Sequence, residues 1–286
     1  MIKELVIISG KGGTGKTSIS GSFAALAENK VMADCDVDAA DLHLILKHSI
    51  ISDESFSTGR KAQINSAKCN KCGKCLMLCR FEAIDDSFRI NKLSCEGCGV
   101  CAEFCPEGAI EMADHESGRW FVSDTEKGPL VHARLGIAEG NSGKLVTLIR
   151  RKAKEIAEKK GCSLIIVDGS PGTGCPVIAS VTGASYLLVV TEPTVSGLHD
   201  LKRALDLADH FRVKSGVCIN RADINGEKTS EIKSYCAGRG TGILGSIPYD
   251  MEVTGAQIAG KTVVEFSDGP AAKAIKELWN RIINEI

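Results

Sequence analysis

Leu5-Val6-Ile7-Ile8-Ser9 runs straight into Gly10-Lys11-Gly12-Gly13-Thr14-Gly15-Lys16-Thr17, and Ser18 then opens a stretch of helical character that reaches Glu28. The loop fits G-x4-G-K-[ST] and sits where that signature has physical meaning, after a buried-type strand and at a helix start. Its glycines let backbone N–H groups converge on phosphate oxygens, and the helix N-terminus adds partial positive charge. Lys16 is placed to reach the outer phosphates and Thr17 to offer its hydroxyl to Mg2+. Residues 10–18 are therefore the first nucleotide-binding candidates.

Outward from this loop the chain alternates strands and helices. Strands are expected near 31–34, 164–168, 186–191 and 217–220, with a last one ending at Ile247 and an extended pair around 121–131. Helices are expected near 41–47, 144–159, 198–210, 228–236 and 271–286. The alternation predicts an α/β P-loop NTPase fold, a mostly parallel sheet covered by helices on both faces. Leu164-Ile165-Ile166-Val167-Asp168 is an apolar strand ending in a carboxylate, the arrangement that holds a Mg2+-bound water in phosphoryl-transfer sites. Weak by itself, it gains force from the loop upstream.

The α/β texture breaks between about residues 56 and 118, which divides the chain into 1–55, an insert at 56–118, and 119–286. Eight of the thirteen cysteines lie between Cys69 and Cys105. Such density inside a long chain points to metal and not to a disulfide scaffold. Cys69, Cys72, Cys75 and Cys79 are spaced C-x2-C-x2-C-x3-C; Cys95, Cys98, Cys101 and Cys105 repeat it, and each run is followed by x3-A-I. In the bacterial ferredoxin pattern the fourth cysteine of each run ligates the other cluster. The insert is thus expected to be a small α+β ferredoxin-like module. One [4Fe–4S] cluster would be held by Cys69, Cys72, Cys75 and Cys105, and a second by Cys79, Cys95, Cys98 and Cys101. Zinc is the rival, although its cysteine pairs are usually separated by longer spacers. Arg80 stands where Pro106 stands in the second run, a departure that removes no ligand.

Lys11-Gly12-Gly13-Thr14-Gly15-Lys16-Thr17 resembles the deviant Walker A loop of the MinD/ParA ATPases, a group that includes the nitrogenase iron protein and the Mrp-type iron–sulfur cluster carriers. The resemblance implies that Lys11 reaches across a homodimer to the partner's nucleotide phosphates, playing the part of an arginine finger; taken alone, Lys11 reads equally as a solvated loop lysine. It also implies that Asp34 supports Mg2+ with Thr17 and Asp168, and that Asp36 orients or deprotonates the attacking water. Gly169-Ser170-Pro171-Gly172-Thr173-Gly174 is similar to the second switch loop, with Gly172 among the residues expected to sense phosphate. Asn220-Arg221-Ala222-Asp223 is close to the N-K-x-D that reads guanine, with Arg for Lys. In the MinD-like group Asn220, Arg221 and Pro248-Tyr249-Asp250 frame adenine, which favours ATP over GTP. A turn or capping role is the alternative for Asn220. Segments 140–146 and Thr191-Glu192-Pro193-Thr194-Val195-Ser196-Gly197 also resemble parts of that group, without an assigned mechanism.

With 43% apolar residues, 25% charged residues and a net charge of −1, the composition excludes a disordered chain or a nucleic-acid-coating surface. No apolar run reaches the roughly 20 residues that span a bilayer. The apolar face of the C-terminal helix reads as core packing, with membrane binding the alternative. A cytoplasmic protein without a stable membrane anchor is expected. Cys35 and Cys175 flank the switch segments, where redox or transfer roles compete with packing, and the six histidines show no ligand spacing. Three functions follow: an ATPase coupling nucleotide turnover and dimerisation to electron transfer with a redox or Fe–S partner protein of unknown identity, a cluster-assembly carrier, or a redox-sensing positioning ATPase of the cell-division kind.

Overall fold

The structure is a computed structural model that describes residues 2–136, 139 and 142–286; Gly140 and Asn141 of the segment 140–146 lie outside the described residues. In chain order the elements are β1 (Lys3–Ser9), α1 (Lys16–Leu26), β2 (Lys30–Asp34), α2 (Leu42–Ile45), β3 (His48–Ile64), α3 (Lys74–Leu78), α4 (Val100–Glu103), β4 (Ile110–Thr125) and β5 (Leu130–Leu135). There follow α5 (Ser142–Lys160), β6 (Leu164–Pro171), α6 (Cys175–Val181), β7 (Tyr186–Thr191), α7 (Val195–His210), β8 (Ser215–Asn220), α8 (Gly226–Arg239), β9 (Gly242–Ile247), α9 (Met251–Ile258), α10 (Val263–Phe266) and α11 (Pro270–Ile283). They form a nine-stranded sheet ordered β3-β4-β5-β2-β6-β1-β7-β8-β9. From β5 to β9 each neighbouring pair in that order is parallel.

The chain divides into two compact units, one of Met1–Asp53, Trp120–Arg134 and Ser142–Ile286, the other of Glu54–Arg119 and Leu135–Asn141. In the first, the apolar runs are buried on both faces, as a helix-covered parallel sheet requires: Leu5, Val6, Ile7 and Ile8 are inaccessible to solvent. Helix α11 buries Ala271, Ala272, Ile275, Leu278, Trp279 and Ile282 in the core shared with α1, and the Phe23 and Trp279 rings lie 5.0 Å apart. The apolar face of the C-terminal helix is thus core, and among the described residues no helix is long and apolar enough to cross a membrane.

Three elements depart most from the sequence expectation: the helices α6 and α9, which it did not include, and β3. The polar, glycine-containing stretch that opens the insert is the 17-residue strand β3. Eleven of its residues are exposed and four half-buried, with Phe56 and Ala62 alone buried, an alternation too sparse to mark it as a strand.

In the second unit α3 and α4 pack together, and the cysteine repeat is matched by repeated hydrogen bonds. Asn65 O accepts from Cys69 N–H (3.1 Å) as Asn91 O accepts from Cys95 N–H (3.0 Å). Cys79 Sγ accepts from Ala83 N–H (3.4 Å) as Cys105 Sγ accepts from Ala109 N–H (3.3 Å). Asn65 and Asn91 belong to the repeat although the cysteine pattern alone does not include them.

The first unit gathers three imidazoles, from α2, β3 and β5. His132 is stacked with His43 (5.3 Å) and with Phe121 (5.0 Å), and His48 is edge-on at 5.7 Å. Ser123 Oγ lies 3.0 Å from His132 Nε2, and His43 Nδ1 is buried without a partner. Burial, then the neighbouring His43 and His48, push the His132 pKa down to about 4. A histidine held neutral in the fold contributes stability that is complete above its unfolded pKa and lost as pH falls toward the folded value.

Two outcomes are expected. Phe23→Ala should lower the unfolding free energy of the first unit by about 3–5 kcal/mol in urea titrations, and a loss under about 1 kcal/mol would refute the packing assigned to α1 and α11. Stability should also fall by about 3 kcal/mol between pH 6.5 and 4, and His132→Phe should flatten that slope.

Candidate functional site

A cleft of about 690 Å3, within the range of small-molecule sites, opens at the ends of β1, β2 and β6 and is walled by Gly12, Gly13, Thr14, Gly15, Lys16, Thr17 and Ser18 on one side and by Asn220, Arg221, Pro248, Tyr249 and Asp250 on another. Parallel α/β sheets bind ligands there, beyond the carboxyl ends of their strands. The turn is glycine-dependent at Gly15, which has φ +88°, and a Cβ there would lie 2.3 Å from Asn220 Nδ2. The Asn220 amide donates to Thr14 O (2.7 Å) and so ties the phosphate loop to the end of β8.

Behind the loop lies a buried charge cluster. Lys16 Nζ donates to Asp36 Oδ2 and Asp168 Oδ1, both at 3.2 Å. Thr17 Oγ1 donates to Asp168 Oδ2 (2.8 Å), and Ser20 Oγ to Asp168 Oδ1 (2.9 Å). Asp34 is in register with Asp168 across β2 and β6. Burial alone would pull the Lys16 pKa down, but Asp168, Asp36 and Asp34 together raise it. Asp34 is pushed well above the ordinary carboxylate range by burial and by Asp168. Burial also raises Asp36, against the pull of Lys16.

Several candidates make local contacts that their sequence position does not suggest. Both oxygens of Asp34 are engaged, Oδ1 by Asp36 N–H and Oδ2 by Leu42 N–H, each at 3.1 Å; the side chain holds the turn that carries Asp36. Gly172 N–H is given to Ser9 O (2.8 Å), while Ser170 and Pro171 of the same loop face the cleft. Asp250 caps α9, Oδ1 accepting from Glu252 N–H (3.0 Å), and Oδ2 accepts from Ala271 N–H (3.1 Å). Asp223 accepts from Tyr249 N–H (2.7 Å). Gly10 and Lys11 stand outside the cleft wall, and Lys11 Nζ pairs with Glu192 Oε2 at 3.3 Å. Cys35 is fully buried with its thiol pushed well up by burial, whereas Cys175 is exposed.

Sequence reasoning did not single out Asp38, Asp41, Leu44, Thr254 or Gln257, which complete the cleft, nor Ser20 behind it. Gln257 Nε2 donates to Ser18 Oγ (3.0 Å). The Ser20 signal was available, one helical turn beyond Lys16 on the same face of α1.

In the second unit the cysteines fall around two pockets. Cys69, Cys72, Cys75 and Cys105 line one, with Ile64, Phe88 and Ile110. Cys79, Cys95, Cys98 and Cys101 line the other, with Leu78, Ile84, Ile90 and Val100. Among the described residues no group of three or more His, Cys, Asp or Glu is arranged to hold a single metal ion.

Comparison with known proteins agrees with this architecture. The chain is 35% identical to an uncharacterized protein of Methanocaldococcus jannaschii, over 99% of this chain and 97% of the relative. It is 27% identical to an iron–sulfur cluster carrier protein of Pyrococcus horikoshii over 50% of this chain and 53% of that protein. The fold is similar to the cell division ATPase MinD of Pyrococcus furiosus, with a TM-score of 0.60 and 16% identity over the whole of both chains. Residues 5–263 match the CobQ/CobB/MinD/ParA nucleotide-binding domain, and the chain belongs to that family.

Proposed function

We propose that this chain is an ATP hydrolase that couples nucleotide turnover and homodimerisation to electron transfer through two [4Fe–4S] clusters held in its second unit. The observation that carries the reading is the occurrence in one chain of the Lys16–Thr17–Asp168 cluster beside a nucleotide-sized cleft and of two pockets each lined by four thiols.

For hydrolysis, Lys16 exchanges its carboxylate partners for β- and γ-phosphate oxygens. That exchange frees Asp36 to hold the attacking water and take its proton as the water oxygen bonds the γ-phosphorus and the bond to the β-phosphate oxygen breaks, leaving ADP and phosphate. Thr17 and Asp168 would hold Mg2+, which would neutralise charge on the phosphates. Asp34 supports that site from behind by fixing the Asp36 turn. Lys11 acts in trans, and Asn220, Arg221 and the Pro248–Asp250 segment frame adenine.

The donor chemistry of the second unit suits iron–sulfur clusters. Each pocket offers four thiols among apolar walls, in the partition that two interlocked runs produce. A cubane distributes its thiolates over separate irons, so single-ion geometry is not needed. The unit's buried apolar side chains among the described residues are Phe56, Ala62, Ala83, Ile84, Ala109 and Ile110. A core that small calls for a staple of disulfides or metal, and all thirteen cysteines are free, which suits metal binding in the reducing cytoplasm. Bound clusters supply one-electron carriers, and the exposed module would face a redox partner protein.

The partial match to a cluster carrier favours one second reading, in which nucleotide governs loading and delivery of clusters. Retention of iron through many turnovers separates the two.

Lys16→Ala should abolish binding in a fluorescent-nucleotide titration, whereas Lys11→Ala should keep most binding and lose about 100-fold or more in hydrolysis. Equal loss of binding in both variants would refute the trans role of Lys11. Anaerobic EPR-monitored redox titration should show [4Fe–4S] signals whose potential shifts with Mg-ATP, and Cys98→Ser should remove one signal while ATP binding survives. Signals indifferent to nucleotide would detach electron transfer from ATP turnover.

A further inference from the structure

Thr191-Glu192-Pro193-Thr194-Val195-Ser196-Gly197 has no part in the mechanism above, yet it places a buried carboxylate between two cations of the site. The Glu192 side chain is 7% exposed and pairs with both Lys11 and Arg221, whose side chains are 38% and 40% exposed. The segment is built to hold that carboxylate in place. Thr194 Oγ1 caps α7 by accepting from Gly197 N–H (2.9 Å), and Thr191 Oγ1 donates to Gly197 O (3.0 Å). A Cβ at Gly197 would meet Glu192 O at 2.2 Å, so the turn closes only around glycine.

We propose that Glu192 is a positioning residue of the nucleotide site, a carboxylate that keeps Arg221 as a fixed partner and Lys11 as an exchangeable one, and so sets how readily Lys11 is released to a nucleotide phosphate. The inference rests on the trans role proposed for Lys11. Removing one partner from a buried ion pair is strongly destabilising when it leaves a charge uncompensated. With Arg221 still in place, Glu192 stays neutralised when Lys11 leaves.

The two cations differ in the way this requires. Arg221 follows Asn220 at the end of β8, with φ +55°, and its guanidinium contacts Glu192 Oε1 directly. Its planar fork suits a lasting carboxylate pair. Lys11 stands between Gly10 and Gly12; Ser9 Oγ holds its carbonyl (2.9 Å) while the side chain is left to Glu192. A half-exposed ammonium–carboxylate pair is worth little and can be exchanged.

The test is sedimentation velocity of the full-length protein with Mg2+ and a non-hydrolysable ATP analogue, for the wild type, Glu192→Gln, Lys11→Ala and the double variant. Glu192→Gln should lower the analogue concentration for half-maximal dimerisation about fivefold, and that gain should vanish in the Lys11→Ala background. An unchanged midpoint, or the same gain without Lys11, overturns the inference. Dimerisation and hydrolysis of Lys11→Ala at wild-type levels would refute the trans-lysine reading instead, so the two failures are distinguishable. Should Glu192→Gln fold poorly, Glu192→Asp keeps the charge for Arg221 but withdraws from Lys11, and its midpoint must still fall; no fall overturns the inference.

Discussion

Four ionisable residues, Lys16, Asp34, Asp36 and Asp168, are buried together at the ends of β2 and β6, none of them as a whole residue more than a tenth exposed. Burying an uncompensated charge costs several kcal/mol, so their arrangement constrains everything around them. One ammonium cannot neutralise three carboxylates, and burial together with the neighbouring Asp168 raises the pKa of Asp34. Backbone N–H groups, the Thr17 and Ser20 hydroxyls and Lys16 absorb what they can. A divalent cation and a phosphate chain would enter this cluster as a matched pair, the cation meeting surplus carboxylate and the phosphates meeting Lys16.

The second unit meets a different constraint. Among its described residues few apolar side chains are buried, Lys61, His115 and Glu139 form a half-buried polar cluster, and equivalent turns recur about the two cysteine runs. In the first unit the sheet places the cleft residues; in the second, the cysteines proposed as cluster ligands lie in the turns themselves. That difference is why metal would matter to stability in one unit and mainly to chemistry in the other.

The legible parts of the chain were those in which local sequence and tertiary environment agree. β7 is buried at every position and could be read to its ends; the phosphate loop could be read because its signature fixes both conformation and chemistry. β3 escaped because its inward face carries only two buried residues, Phe56 and Ala62, among polar ones, too few to stand out as an alternating pattern. Helices α6 and α9 were missed because each is short and begins beside a segment already read as a loop. Local roles were the least legible. That Asp34 and Asp250 serve backbone N–H groups depends on residues up to 21 positions away in sequence, which no motif specifies.

Lys11 and Lys16 flank the same glycine loop but are restrained by opposite means. Lys16 lies on the first turn of a helix and is enclosed by carboxylates whose proposed task is the chemistry itself. Lys11 has no helix to fix it, and glycines on either side leave its direction undetermined. A lysine meant to act across an interface cannot be buried at home, yet left free it would lose conformational entropy each time it was captured. A carboxylate from another strand, neutralised in advance by an arginine, resolves both demands: it gives Lys11 a defined position without making departure prohibitive. On this view the Glu192 turn belongs to the nucleotide site as much as the glycine loop does.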